Sequence, residues 1–287
     1  MRSPSLETAE WYSYLAALFC RNGADTIPQN LGRALQYLSR ADSILIMVYF
    51  PDKRPALLYA DIDHKCRKNN FTEYLQGFYL LDPFYQRAVG CAESTLFHLK
   101  DICENSFYDS EYYESWYKQS GLRDEINYLV PLDGAAVMAI SLSRNLESAF
   151  FSAGEIAQLE VIRPLVGTVV KDYWREIQPR SGEEEGRETG IHEALCRAME
   201  NFGSSLLTGR EREIVQLLLR GYGIKATASK LDIAPTTIKV HRKNIYKKLD
   251  ITSHSELFSL FIDALSVVSG DSREDPLLRY TQRMNDA

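Results

Sequence analysis

The sequence has no apolar run long enough to cross a bilayer. Its longest, from Ile44 to Phe50, falls far short of the roughly 20 residues that a spanning helix requires. The first residues carry no basic, apolar, small-residue signal pattern, so a cytoplasmic location with no membrane partner is expected. The five cysteines, Cys20, Cys66, Cys91, Cys103 and Cys196, are odd in number and include no CxxC pair. Neither a disulfide framework nor a zinc site is suggested by that pattern, and buried free thiols are expected instead. His64 and His98 stand in no HExxH or catalytic-triad context. No GxGxxG or GxxxxGK string is present to cradle nucleotide phosphates. The expectation is therefore a protein that is not an enzyme, with no catalytic residue, metal or cofactor.

What is present is the balance of a soluble globular chain: 45% hydrophobic and 25% charged residues in a length of 287. That length is sufficient for two domains, each with its own core. Net charge is −6 overall but unevenly placed. Ser204 to Ser266 holds ten Lys/Arg against six Asp/Glu, whereas residues 1–203 hold twenty against twenty-nine. A polyanion is attracted to the first of these stretches and repelled by the second, which orients its approach. Between them, Gln178 to Gly190 reads QPRSGEEEGRETG, rich in glycine and glutamate and without a large apolar residue. This is the expected linker, separating a domain of residues 1–177 from one of residues 191–270, with a polar tail at 271–287.

In the second domain, Thr208 followed three residues later by Glu211 is a capping box, which predicts a helix start. Ile214, Leu217 and Leu218 give that helix one buried stripe, and Gly221 and Gly223 stop it. A short helix follows from Ile224 to Leu231. Ala234-Pro235 then opens a third, longer helix over about Thr236 to Leu249. This third helix contains Lys239, Arg242, Lys243, Lys247 and Lys248 and no acid. Ile238, Ile245 and Leu249 mark its inward face, while Lys239, Val240, Lys243 and Lys247 recur at three and four residues on the outward one. Cationic side chains on such a face reach guanine N7 and O6 in a major groove, and Val240 can meet a thymine methyl. Thr236 and Thr237, at the helix N-terminus, suit phosphate oxygens.

The whole stretch from Leu206 to Leu257 closely resembles the LuxR-type helix-turn-helix family. The resemblance rests on LTGRERE, Gly221, Thr237, Lys239, Val240, His241 and Lys248-Leu249. It implies double-stranded DNA as partner, base reading by Lys239, Val240 and Lys243, and phosphate contacts by Thr236, Thr237, His241 and Asn244, with Arg242 and Lys247 on the same helix. Where the family usually has Glu-Ile-Ala, this chain has Ala226-Thr227-Ala228. In the family the last helix commonly forms a dimer contact. Since one module buries little surface on DNA, a homodimer on a two-fold site is expected.

The first domain reads as helices near Glu7 to Cys20 and Leu31 to Arg40, then a hairpin of ILIMVYF and ALLYA around Pro51-Asp52-Lys53. A second hairpin, Glu125 to Val130 with Ala135 to Ser143, turns at Asp133-Gly134, and a long helix over Gly154 to Trp174 closes the domain. This order predicts an α+β fold, an antiparallel sheet covered by helices, followed by an all-α DNA-binding domain. GFYLLDP (Gly77 to Pro83), SGLRDEINYLVPLDG (Ser120 to Gly134) and the strand ending in ISLS resemble the autoinducer-binding domain of quorum-sensing LuxR regulators. That domain is an α-β-α sandwich related to GAF and PAS folds. The resemblance implies that Asp82 hydrogen-bonds an effector. The tryptophan and tyrosine expected thirteen and nine residues upstream are Asn69 and Glu73, which argues against an acyl-homoserine lactone.

The domain has aromatics and acids in quantity instead. Tyr74, Phe78, Tyr79, Tyr85, Trp116 and Tyr128 with Asp82, Asp124 and Glu125 are the candidate effector-binding residues, because ring faces and carboxylates together favour a cation. A small amine is the sharper expectation; an acyl-homoserine lactone, or a domain that binds a protein partner or only dimerises, remain the alternatives.

Overall fold

The computed structural model describes residues 4–20, 26–62, 74–75, 78–102, 113, 117, 120–177, 196–220, 222–266 and 274–285. These form two compact units. One takes the described residues of Met1–Lys68, Phe84–Ile102 and Ser120–Glu185; the other takes those of Asn69–Pro83, Cys103–Gln119 and Gly186–Ala287.

The first unit is built on a five-stranded antiparallel sheet in the order β2-β1-β5-β4-β3. The strands are β1 (Ser43–Tyr49), β2 (Ala56–Asp61), β3 (Thr95–His98), β4 (Leu122–Pro131) and β5 (Val137–Asn145). Both predicted hairpins are present. The β4–β5 turn passes through Gly134 at φ 75°, a left-handed conformation that glycine adopts without steric cost. The four-residue β3 was not anticipated, being too short to show a period of two.

Helices α1 (Ala9–Phe19), α2 (Ile27–Ser39), α3 (Pro83–Ala88) and α4 (Ala153–Ile177) complete this unit's regular helices among the described residues, apart from one helical turn at Leu99–Ile102. The Thr8 hydroxyl caps α1 by accepting from the Trp11 amide at 3.2 Å. Helix α4 runs through Pro164 despite the lost backbone donor.

Alternation along the strands decides which residues meet these helices. Ile44, Ile46 and Val48 of β1, Ile126, Tyr128 and Val130 of β4, and Met138, Ile140 and Leu142 of β5 form one core with Leu35 and Leu38 of α2 and Leu159, Val166 and Val170 of α4. Arg144 locks the edge of this core. Its guanidinium donates to the Ser39 carbonyl at 2.7 Å and to the Glu155 carboxylate at 2.8 Å, and lies 4.7 Å from the Phe151 ring centre. The alternate residues Met47, Tyr49, Asn127, Leu129, Val137, Ala139, Ser141 and Ser143 point to the opposite face and are buried as well. That second face carries a share of small polar groups that the first does not.

The second unit contains α5 (Gly209–Leu219), α6 (Ile224–Lys230), α7 (Pro235–Leu249), α8 (His254–Ser266) and α9 (Pro276–Asn285). Residues 196–201 are also helical, and the Phe202 ring packs edge-on against Phe261 of α8. Helix α9 lies in the stretch read from the sequence as a polar tail. Asp275, buried just before it, accepts from the amides of Gly203, Ser205 and Leu277 and from the Ser205 hydroxyl. One carboxylate thus joins the start of this helical unit to its end, and Leu277 is buried in it. The expected linker, 178–190, lies outside the described residues.

Candidate functional site

The helix-turn-helix is α6 and α7, held on α5. At the start of α5 the capping box forms as the sequence predicts: the Glu211 amide donates to the Thr208 hydroxyl oxygen at 3.3 Å, and the Glu211 carboxylate accepts from the Thr208 amide at 2.8 Å. The same carboxylate accepts from Lys248 at 2.6 Å, near the end of α7. Burial alone would raise the Glu211 carboxyl; the bonds from Lys248 and Thr208 outweigh it and hold the group below the usual carboxylate range. The residue that starts α5 is therefore also the anchor that fixes α7.

Thr227, in the Ala226-Thr227-Ala228 departure, is fully buried and its hydroxyl donates to the Tyr222 carbonyl at 3.3 Å. Arg210 of α5 donates to the Leu231 carbonyl at the end of α6 at 2.8 Å. These two bonds hold α6 in place where the family's acid and isoleucine are missing.

Helix α7 buries Ile238, Ile245 and Leu249. Thr236, Thr237, Lys239, Val240, Lys243, Asn244 and Lys247 are exposed and share one continuous face, with Val240 at 60% exposure. A branched apolar side chain left this open amid lysines is poorly placed for water and well placed for a groove. His241 and Arg242 flank this face and are half-buried, with the Arg242 guanidinium 5.8 Å from the Tyr246 ring centre. Pro235 opens α7 without a side-chain cap, so its first amides are free of a capping side chain.

Within the first unit, the candidate effector residues on β4 divide between the two faces of the sheet. Asp124 and Tyr128 share the parity of Ile126 on β4 and face the α4 side, whereas Glu125 and Asn127 face the other. The Tyr128 hydroxyl donates to the Leu159 carbonyl at 2.7 Å. Burial, reinforced by Glu160, pushes this phenol well above its ordinary value, so it remains a donor. Asp124 accepts from the Phe151 amide at 2.9 Å and pairs with His98 Nε2 at 2.7 Å, both residues being buried. Asp124 thus ties β4 to β3 and to the segment before α4, and Tyr128 ties β4 to α4, so the polar groups of both candidates are engaged within the first unit.

Tyr85 packs edge-on against Tyr49 at 5.1 Å, and Tyr49 belongs to the second sheet face. Glu125 is half-buried on that face. Tyr74, Phe78, Tyr79 and Asp82 form a separate group in the other unit: the Tyr74 hydroxyl donates to Asp82 at 2.6 Å, and the Tyr74 and Tyr79 ring centres are 6.2 Å apart. Trp116 lies outside the described residues.

Two residues of the second face escaped the sequence reading. Asn127 Nδ2 donates to Ser141 Oγ at 2.6 Å across the β4–β5 pair, while Asn127 Oδ1 is buried with no hydrogen-bond partner among the described residues. The available signal was the polar residue at the centre of EINYLV, on a strand whose other face is apolar.

A helix-turn-helix with a cationic, groove-sized outer face, joined in one chain to an α+β domain whose sheet is buried on both sides, defines a DNA-binding regulator with a sensor-type domain. The comparisons agree. The profile of bacterial regulatory proteins of the luxR family matches residues 205–261. A putative HTH-type transcriptional regulator of Aeromonas salmonicida is 31% identical over 186 residues, covering 64% of this chain and 94% of the relative. The monoamine regulon transcriptional regulator of Klebsiella aerogenes is 24% identical over 230 residues, covering 80% of this chain and 88% of the relative. Among solved structures, the VqsR LBD domain of Pseudomonas aeruginosa matches with a TM-score of 0.50 at 30% identity, covering 58% of this chain and 98% of that one. The chain belongs to the LuxR family of bacterial transcriptional regulators. Its relatives are regulators rather than enzymes, and among the described residues no helix is long and apolar enough to cross a membrane and no acid, histidine or cysteine cluster could hold a metal.

Proposed function

We propose that this regulator is governed by a small amine held on the second face of the sheet, and that residues 1–177 serve as its sensing domain. The observation that carries this reading is Asn127 Oδ1, a buried acceptor without a donor among the described residues. Leaving such a group unpaired costs about 1–3 kcal/mol, which a ligand bearing an N–H donor would recover. The Glu125 carboxylate on the same face favours a positive charge, and the Tyr49–Tyr85 ring pair supplies aromatic surface for it. Similarity over most of the chain to a monoamine regulon regulator supports the same class of effector.

In the DNA-binding half, Lys239, Val240 and Lys243 read base edges, Thr236, Thr237, His241 and Asn244 contact phosphates, and Arg242 and Lys247 add positive charge at the borders. Two copies on a two-fold site are the working form. The exposed rings of Tyr12 and Phe19, at 61% and 65%, lie one heptad apart on α1 and favour a second reading, in which the first domain pairs with a protein surface.

A thermal-shift titration of the full chain against matched panels of small amines, acyl-homoserine lactones and neutral metabolites separates these readings. A ligand at a hundred times its Kd adds about 2.7 kcal/mol, a rise of several degrees for a domain of this size. A shift confined to amines and lost in Asn127→Leu is the expected result. A lactone shift, or none from any panel, overturns the amine reading.

A further inference from the structure

Helix α1 is fixed on one side and open on the other. Trp11 and Leu18 are buried, the Tyr14 and Tyr37 ring centres are 5.2 Å apart, and the Thr8 and Tyr37 hydroxyls meet at 2.7 Å. Asn30 of α2 donates to the Ala17 carbonyl at 3.0 Å, so α1 is tied to α2 at both ends. The opposite side carries Ala9, Tyr12, Ala16 and Phe19, all exposed, with the two rings open at 61% and 65%. Spacings of three, four and three residues place these side chains on one stripe that alternates small and large. Glu10, the one charged residue of the helix, lies off that stripe. Without a cation, the stripe is unsuited to a polyanion or to anionic lipid headgroups. Two rings held open to water on an anchored helix suit an apolar protein surface instead.

The order of sizes selects that surface. When the helix is laid antiparallel on a copy of itself, about a two-fold axis midway between Tyr12 and Ala16, each Tyr12 falls on the second copy's Ala16. Each Phe19 then falls on the second copy's Ala9. Every ring meets a hollow over an alanine, and each contact is made twice, as an isologous interface requires. Parallel pairing would set ring on ring and alanine on alanine, holding the helices apart over a gap. We infer that α1 is a self-pairing surface, through which the first units of two copies join as an antiparallel helix pair. The inference gives the second reading above its partner and needs no effector. With about 200 Å² to bury per ring side chain, the four rings of a pair hide about 500 Å². That is below the roughly 1,200 Å² of a standard stable interface, so the pairing is reversible and depends on concentration.

Sedimentation equilibrium of the full chain without DNA, from about 1 μM to about 1 mM, reads the pairing. Wild type moves from monomer towards dimer over this range. Tyr12→Ala weakens self-association by at least about tenfold, because the two-fold axis removes the ring from two contacts at once. Ala16→Tyr weakens it too, by opposing ring to ring. Both positions are exposed, so circular dichroism and thermal unfolding stay as in wild type. The double variant Tyr12→Ala/Ala16→Tyr exchanges ring and hollow and recovers the dimer. An equimolar mixture of the two single variants recovers it as well, since each Tyr12–Ala16 contact again joins one tyrosine to one alanine. A wild type that stays monomeric throughout, or a dimer that Tyr12→Ala leaves unchanged, overturns the inference. Single variants that neither the exchange nor the mixture restores overturn it too, and leave the rings to a different protein partner. The amine panel is indifferent to these substitutions, so the effector reading and the self-pairing surface fail separately.

Discussion

Replacing Glu211 by glutamine tests whether the recognition helix is held from below. The carboxylate does three things from one buried position: it accepts from the Thr208 amide, from the Thr208 hydroxyl at 2.9 Å and from Lys248 at 2.6 Å. Glutamine keeps an acceptor oxygen for the cap but loses the charge. The lost term is a charge-assisted bond, worth about 1.5–3 kcal/mol when enclosed. Lys248 is 38% exposed on its side of the pair, so solvent screening reduces this to about 1–2 kcal/mol.

For a helical unit of this size, a loss of about 1 kcal/mol lowers Tm by about 4–8 °C. Calorimetric unfolding of the full chain, with the transition of the DNA-binding unit resolved, measures it. The pH dependence supplies the sign. Glu211 has a depressed folded-state pKa, so the stability it confers is present above its unfolded value and is lost as the pH falls through the depressed folded one. The gap between wild type and Glu211→Gln is therefore full at neutral pH and closes in acid. Duplex affinity should fall several-fold at neutral pH without any change in base preference, because nothing on the α7 outer face is altered. A gap that persists unchanged in acid, or a variant as stable as wild type at pH 7, would refute the reasoning.

Other perturbations act on the face itself and on the sheet. Lys239→Ala or Lys243→Ala should cost about 1–3 kcal/mol of binding and relax preference at one position per half-site, as read by selection from a random-sequence pool. Affinity should fall linearly on a log–log plot against salt, and Lys247→Ala should reduce that slope by about one; a flat dependence would rule out groove binding. Tyr128→Phe should destabilise the first unit by about 0.5–1.5 kcal/mol through the lost bond to Leu159, while leaving any effector shift intact. His98→Leu strands the Asp124 carboxylate without its imidazole partner and should be the more damaging of the two in a urea titration.

The helix-turn-helix was legible because its signals are local. Thr208 and Glu211 cap α5, Pro235 opens α7, and the three- and four-residue spacing of Ile238, Ile245 and Leu249 fixes which side of α7 faces inward. A second start signal was equally available at the head of α8, where Glu256 accepts from Thr252 and its amide donates to the Ser253 hydroxyl. The two hairpins and the long closing helix could also be read, since each is long enough to show its period. Strand β3 could not, and neither could the tie made by Asp275, whose partners lie about seventy residues back along the chain.

The effector residues mark where composition stops being informative. A list of aromatics and acids has no parity, and in a strand parity decides everything: Tyr128 and Asn127 are adjacent in sequence and point to opposite sides of the sheet. Tyr128 spends its hydroxyl on α4, as a buried phenol must. Asn127 keeps an acceptor unmatched among the described residues, on a face that its neighbours Ser141 and Ser143 make more polar than the other. Aromatic abundance in this domain is thus partly core construction, and it is the small polar residue among large apolar ones that singles out the face. That choice also separates the chemistry of the two halves. On the proposed reading the acidic half offers acceptors to a cationic effector and the basic half offers donors to the phosphates and base edges of DNA, so that neither ligand competes for the other's groups.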